Sequence, residues 1–313
     1  MSKLKICFVG IGSIAKRHIK NLIAVCQERE IDIQIDAVRR KNSDKTEVDI
    51  YFTNVYYSIE EVPSTYDIVF ITNPTEFHLD TLDIWREKAR HFFIEKPLAN
   101  LSQIDRIYRT KMNEGAIYYV ACPLRYNSVI QYIKKNIKIQ NVLAIRSISS
   151  SYLPEWRPGT DYRKTYSAHR ELGGGVAIDL IHEWDYLTYI FGFPQKIYSM
   201  SGKISELDIN SDDYAIYIAK YGDKIAELHL DYFGRKTIRE IQLITKEDTI
   251  IGDISNNKVS FLKSGRSIEF LEMRDDFQKK ELNHFLDMVE GKTKSDNDVF
   301  NAAKVLKLTG GTV

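Results

Sequence analysis

A glycine-rich turn between an apolar strand and an amphipathic helix constrains this chain more than any other stretch. Residues 4–9 read as a strand and run into Gly10-Ile11-Gly12-Ser13-Ile14-Ala15, a G-x-G-x-x-A pattern. In the helix that follows, Ile14, His18, Ile19, Leu22, Ile23 and Cys26 fall near one face. Gly10 permits the tight turn, Gly12 lets a pyrophosphate approach the backbone, and Ala15 is small enough for helix and strand to pack closely. The helix N-terminus, at Ser13 and Ile14, offers free N–H groups and partial positive charge to phosphates. Gly10, Gly12, Ser13 and Ile14 are therefore the first candidate contacts of a dinucleotide.

The second strand, residues 31–38, ends where such a fold reads the adenine ribose. An acid there accepts from the 2′-hydroxyl of NAD, and an arginine pairs with the 2′-phosphate of NADP. This chain has Arg39-Arg40-Lys41 at the tip, and Asp36 lies inside the strand, three residues too early. Arg39 and Arg40 point to NADP in preference to NAD; the plainer alternative is a solvated basic turn.

A third strand, residues 66–72, leads into Asn73-Pro74-Thr75, and a helix is expected from about residue 78 to 88. Phe92-Phe93-Ile94-Glu95-Lys96-Pro97 is a continuous apolar run that ends in an acid, a base and a proline. It reads as a buried parallel strand stopped by Pro97, which cannot donate to a ladder. Lys96 then sits at the carboxyl end of a sheet strand, where open α/β sheets bind ligands. A helix over 102–114, with Ser102 as its cap, and a strand over 117–122 follow. Strands alternating with helices imply a doubly wound parallel sheet, with a domain over 1–122 and a boundary at Cys122-Pro123.

After Pro123 the pattern changes. A helix over 128–136 and a strand over 142–149 precede a long irregular stretch, 151–172, dense in Arg, Tyr and Trp. A loop of that length in a compact domain is usually functional. Gly173-Gly174-Gly175 ends it, and a continuous helix is expected over 176–191. Strand candidates at 197–204, 213–221, 224–232, 237–245 and 249–254 are joined by short turns, so this sheet should be large, open and mostly antiparallel. Two amphipathic helices, 277–290 and 299–308, complete a second α/β domain over 123–313. The face of its sheet rich in Tyr and Ile is a candidate surface for a homodimer or homotetramer.

Composition narrows the function. With 313 residues and a net charge of +1, the chain has no global field for nucleic acid or an anionic membrane. No apolar run approaches the roughly 18 residues of a membrane span. Cys7, Cys26 and Cys122 lack metal spacing and read as buried thiols of a cytoplasmic protein.

These motifs together resemble the glucose–fructose oxidoreductase / inositol dehydrogenase / rhizopine catabolism family (Gfo/Idh/MocA) over nearly the whole chain. The resemblance rests on Gly10-x-Gly12-x-x-Ala15 with His18, Thr72-Asn73-Pro74 with His78, and Glu95-Lys96-Pro97. It extends to Arg125-Tyr126, Gly173-Gly174-Gly175 with the helix carrying Asp179 and His182, and Asn283-His284-Phe285. It implies a Rossmann domain followed by an α/β domain, and exchange of a hydride between NAD or NADP and a ring carbon of a sugar, cyclitol or activated sugar. Thr72, Asn73, Pro74, His78, Glu95 and Lys96 then belong to the cofactor site. Lys96 matches the lysine that touches both substrate and nicotinamide, and His182 the histidine that exchanges the substrate proton. The family's further acid stands four residues before that histidine. Here that position is Ile178, and Asp179 is three before; both spacings share one helix face, so Asp179 is expected to point at the site.

The loop from Tyr152 to Arg163 resembles a subgroup linked to bacterial surface sugars. Arg125, Arg157 and Arg163 are candidate partners of an anionic or nucleotide-activated sugar, since a planar guanidinium suits carboxylate and phosphate. A dinucleotide sensor or scaffold without turnover would also need the Gly10 loop. Only an enzyme needs a proton-exchanging pair such as Lys96 and His182. A metal-dependent lyase is disfavoured, because the sequence has no convincing cluster of His, Cys and acids.

Overall fold

A computed structural model describes residues 3–63 and 65–313. Met1, Ser2 and Ser64, all within the expected first domain, lie outside the described residues. The chain forms two compact units, one running up to Cys122 and joined by Arg274–Ala303, the other comprising Pro123–Met273 and Lys304–Val313.

In the first unit the chain runs through β1 (Leu4–Val9), α1 (Ser13–Glu28), β2 (Ile33–Val38), β3 (Phe52–Tyr56) and β4 (Tyr66–Ile71). It continues through α2 (His78–Trp85), β5 (Ala89–Ile94), a short α3 (Ile104–Ile107) and β6 (Tyr118–Val120). These strands form one parallel sheet in the order β3-β2-β1-β4-β5-β6. That order is the doubly wound arrangement of dinucleotide-binding domains, which places ligands at the carboxyl ends of the strands. Its centre is buried on both faces: Ile6, Phe8, Ile68, Phe70, Phe92 and Phe93 are all fully inaccessible. Such two-sided burial is why β5 reads as an unbroken apolar run. Helix α1 turns Ala15, Ile19, Leu22 and Val25 inward, the stripe expected of a helix lying on a sheet.

The second unit contains α4 (Ser128–Asn136), β7 (Val142–Tyr152), two short helices α5 (Val176–Asp179) and α6 (His182–Phe191), and seven further strands. These are β8 (Lys196–Gly202), β9 (Tyr214–Lys220), β10 (Ile225–Asp231), β11 (Phe233–Thr245), β12 (Thr249–Asp253), β13 (Lys258–Phe261) and β14 (Ser267–Glu269). They form an eight-stranded sheet, β14-β13-β12-β11-β7-β10-β9-β8, antiparallel except where β7 runs beside β10. One face carries buried Ile145, Ala226, Leu228, Ala215, Tyr217 and Leu243. The other presents Tyr198, Met200, Ile218 and Ile225, each about half exposed.

Helix α7 (Arg274–Val289) packs in the first unit, although its sequence position assigns it to the second domain. Arg29, at the end of α1, donates to Asn283, Asp287 and Glu290, and Phe285 lies edge-on to Phe70 and Phe93. The chain then passes through α8 (Val299–Thr309), within which the division between the units falls. The expected helix over 102–114 shrinks to α3, preceded by a 3-10 turn whose cap is Asn100 rather than Ser102, with Gln103 closing a capping box.

Candidate active site

The glycine turn is built as the residue types require. Gly10 has φ of 87°, and a Cβ there would lie 2.7 Å from Cα of Asn73, so both backbone angle and space exclude a side chain. Thr72 donates its hydroxyl to the carbonyl of Gly10 at 2.7 Å, tying the end of β4 to the turn. Gly12 precedes α1, and a Cβ on it would meet nothing within 4 Å. No packing demand explains this glycine; it opens instead onto a cavity of about 880 Å³, also lined by Ser13, Lys16, Ser43 and Lys45. Among the described residues no side chain caps α1, and its first turn carries no acid. A turn with no Cβ at Gly10 or Gly12, leading into an uncapped helix N-terminus, fits a dinucleotide pyrophosphate.

The carboxyl ends of β4 and β5 are cross-linked by buried polar groups. His78 puts one ring nitrogen 2.9 Å from the carbonyl of Asn73 and the other 3.0 Å from that of Pro97. Burial lowers the pKa of His78, outweighing the carbonyls and the Glu95 charge that act to raise it. Asn73 donates its amide to Thr81. Glu95 is buried, accepts from His18 at 2.5 Å and takes the backbone N–H of Lys96 at 3.0 Å on its other oxygen. Burial pushes the Glu95 carboxyl up, but the His18 bond and the charges of His18, Lys96 and His78 bring it below the ordinary carboxylate range. The structure thus joins Gly10, Thr72, Asn73, His78, Glu95 and Lys96 in one hydrogen-bonded layer; Pro74 continues the turn after Asn73, and Ile14 lies in the first turn of α1.

The end of β2 departs from expectation. Arg39 is buried and forks onto Asp49, with contacts of 2.7 and 3.1 Å. Arg39 and Thr46 bonds hold Asp49 below its usual range although burial acts to raise it. This arginine is therefore committed within the protein, and Arg40 is the exposed guanidinium at the tip. Asp49 and the edge strand β3 went unread because β3 is short, half-exposed and lacks an apolar run. Asp36 is buried inside β2 and accepts from Tyr66 and Asn54, away from the strand tip.

In the second unit the helix expected over 176–191 is broken. Leu180 has ψ of 32°, so α5 stops at Asp179 and α6 starts at His182, which is half-buried. Asp179 and His182 therefore do not share a continuous helix face. Asp179 is buried and accepts from the Tyr232 hydroxyl at 2.5 Å, with Tyr166 bonding to the same carboxylate. Burial and the Asp179 charge push the Tyr232 hydroxyl well above its ordinary pKa. The two tyrosines, separated in sequence from Asp179, gave no sign of this role.

The three arginines have different fates. Arg125 is 2% exposed and chelates Asp185 at 2.9 and 2.7 Å, so the structure corrects the expectation that it faces a substrate anion. Arg163 forks onto Asp161, two residues away. Arg157 is exposed, with its guanidinium 5.6 Å from the centre of the Tyr166 ring. Among the described residues no group of His, Cys, Asp and Glu could hold a metal ion, and no helix is long and apolar enough to cross a membrane.

Residues 4–122 match the family model GFO_IDH_MocA, described as an oxidoreductase family with an NAD-binding Rossmann fold. No curated protein matches the chain. Among solved structures, the WlbA dehydrogenase from Bordetella pertussis in complex with NADH and UDP-GlcNAcA is 16% identical, with 99% of this chain and 95% of that one covered and a TM-score of 0.80. A levoglucosan dehydrogenase in complex with NADH is 14% identical over 99% and 96%, with a TM-score of 0.83. The myo-inositol 2-dehydrogenase from Lactobacillus plantarum is 18% identical over 99% and 96%, with a TM-score of 0.77. At these identities the likeness concerns the fold. Residues 4–122 thus match the Gfo/Idh/MocA oxidoreductase family model, and over nearly its whole length the chain shares its fold with these sugar and cyclitol dehydrogenases.

Proposed function

We propose that this protein is a cytoplasmic NAD(P)-dependent oxidoreductase acting on a ring carbon of a sugar, cyclitol or activated sugar. The observation that carries this reading is the buried layer at the ends of β1, β4 and β5. It ties the glycine turn to the backbone of Lys96 through Thr72, Asn73, His78 and Glu95. Such a layer holds a lysine at fixed depth beside a nucleotide cradle, which a binding-only domain does not need. The bound nicotinamide supplies hydride exchange at its C4. The protein must match that with a proton at the substrate oxygen, from a titratable group about 3 Å away. Lys96 orients the oxygen and stabilises negative charge developing on it, and the imidazole of His182 carries the proton. The proton is assigned to the pair rather than to either residue alone. Asp179, oriented by Tyr232, supports the histidine-bearing segment.

NADP is the preferred cofactor in this reading, and Arg40 is the residue that carries the preference, because a charge-assisted bond to a 2′-phosphate needs an uncommitted guanidinium. The substrate is an anionic or nucleotide-activated sugar, met by Arg157. The protein works as a homodimer or homotetramer through the open face of the eight-stranded sheet.

The test is a panel of nucleotide sugars, acidic sugars, neutral sugars and cyclitols with both cofactors, followed by absorbance of the reduced nicotinamide. Turnover of an activated or acidic sugar is expected. Cofactor binding with no turnover across the panel would favour the sensor reading, and fast turnover of neutral sugars unaffected by Arg157→Ala would remove the anionic substrate.

A further inference from the structure

His18 lies in the second turn of α1, 1% exposed, with its ring edge-on to Phe93 at 5.0 Å and tilted against Phe70 at 6.1 Å. Its Nε2 is 2.5 Å from Glu95 Oε1, while its Nδ1 is buried with no hydrogen-bond partner among the described residues. Buried ring nitrogens normally have a polar partner, and His78 has a carbonyl oxygen within 3.0 Å of each of its own. His18 instead leaves one nitrogen orphaned in an apolar wall and directs the other at a single carboxylate. Glu95 in turn is anchored by its own N–H to the Ile71 carbonyl and accepts the N–H of Lys96 on its second oxygen.

We infer that His18 is a positioning residue for Lys96: its Nε2–H fixes Glu95 as an ionised, oriented carboxylate, and Glu95 fixes the backbone from which the Lys96 side chain departs. The inference rests on the reading that Lys96 meets the substrate oxygen. A carboxylate is an acceptor only, so this assignment puts the hydrogen of the 2.5 Å contact on Nε2. The groups around Glu95 fit this state. Lys96 on its own strand end, His78 from α2 and His18 from α1 favour the anion. Glu281 from α7 is the acid on the opposing side; burial first, then the Glu95 charge, pushes its carboxyl well up, so it resists a second negative charge there.

The test compares His18→Leu, which removes the donor, with His18→Gln, whose amide keeps an uncharged donor at the same reach. Glu95 is followed through its ¹³C-labelled side-chain carboxyl, assigned with Glu95→Gln, and the pH profile of kcat/KM is measured in parallel. In His18→Leu the Glu95 midpoint should rise by about one pH unit or more, the acid limb of kcat/KM should rise with it, and His18→Gln should recover part of both. The carboxyl titration needs no turnover, so a failure of the oxidoreductase reading leaves it decisive. An unmoved Glu95 midpoint in His18→Leu overturns the inference. If the leucine variant does not fold, a Glu95 midpoint in His18→Gln equal to that of the wild type, or a loss of rate in His18→Gln without any movement of the acid limb, overturns it instead.

Discussion

At the scale of single residues, the site depends on which charged groups are uncommitted. Lys96→Met and His182→Ala should each lower kcat by about a hundredfold or more while leaving cofactor affinity nearly unchanged, as single-turnover kinetics with separate cofactor titration will read. Near-normal turnover in either variant would show that another group moves the proton. The two neighbouring arginines should separate cleanly. Arg40→Ala should weaken NADP about tenfold and leave NAD unchanged, the loss of one charge-assisted bond. Arg39→Ala should act on stability, because it strands the Asp49 carboxylate that Arg39 now chelates. Breaking such a pair costs about 3 kcal/mol, visible as a lower denaturation midpoint. Arg39 and Arg40 are indistinguishable as letters. Only the path of the chain to Asp49, ten residues on, decides which of them meets solvent.

At the scale of elements, the strands of the first unit were legible because both faces are buried and the apolar runs are continuous. The edge strand β3 and the short hairpin β13–β14 were not, since half-exposed edges carry little apolar signal. Helix α7 shows what sequence position conceals. It brings Glu281, fully buried, to accept from Cys122 N–H and the Tyr119 hydroxyl. Burial raises the Glu281 pKa well above 4.5, the value of an ordinary glutamate. The folded state therefore keeps a proton that the unfolded chain has already released. This contribution to stability is complete below the unfolded pKa and is lost as pH rises above it, by up to about 1.4 kcal/mol per pH unit until the folded pKa is reached. Glu281→Gln copies the neutral acid, so thermal melts between pH 5 and 8 should fall less steeply with pH than those of the wild type. A parallel slope in both proteins would mean that Glu281 is charged in the fold.

At the scale of the whole molecule, the eight-stranded sheet leaves one face open. Tyr198 pairs in register with Ile218, and Met200 with Ile216, so apolar side chains adjoin across β8 and β9. Tyr198, Met200 and Ile218 are 58%, 60% and 53% exposed, which makes this a patch rather than scattered residues. Met200→Glu combined with Ile218→Glu should reduce the mass measured by light scattering to that of one chain, with the secondary structure retained. A monomeric wild type would remove the proposal. By itself the sequence determined the parallel nucleotide-binding sheet, the glycine turn and Lys96 at a strand end, because period, glycine placement and a terminating proline are local properties. It also marked the second sheet as largely antiparallel, from short turns between neighbouring strands. Tertiary structure alone decided that Arg125 and Arg39 are buried ion pairs, that the helix breaks between Asp179 and His182, and that His18 rests on Glu95. The ion pairs and the His18 contact depend on partners up to 77 residues away, and a charged residue carries no mark of the partner that folding will bring to it.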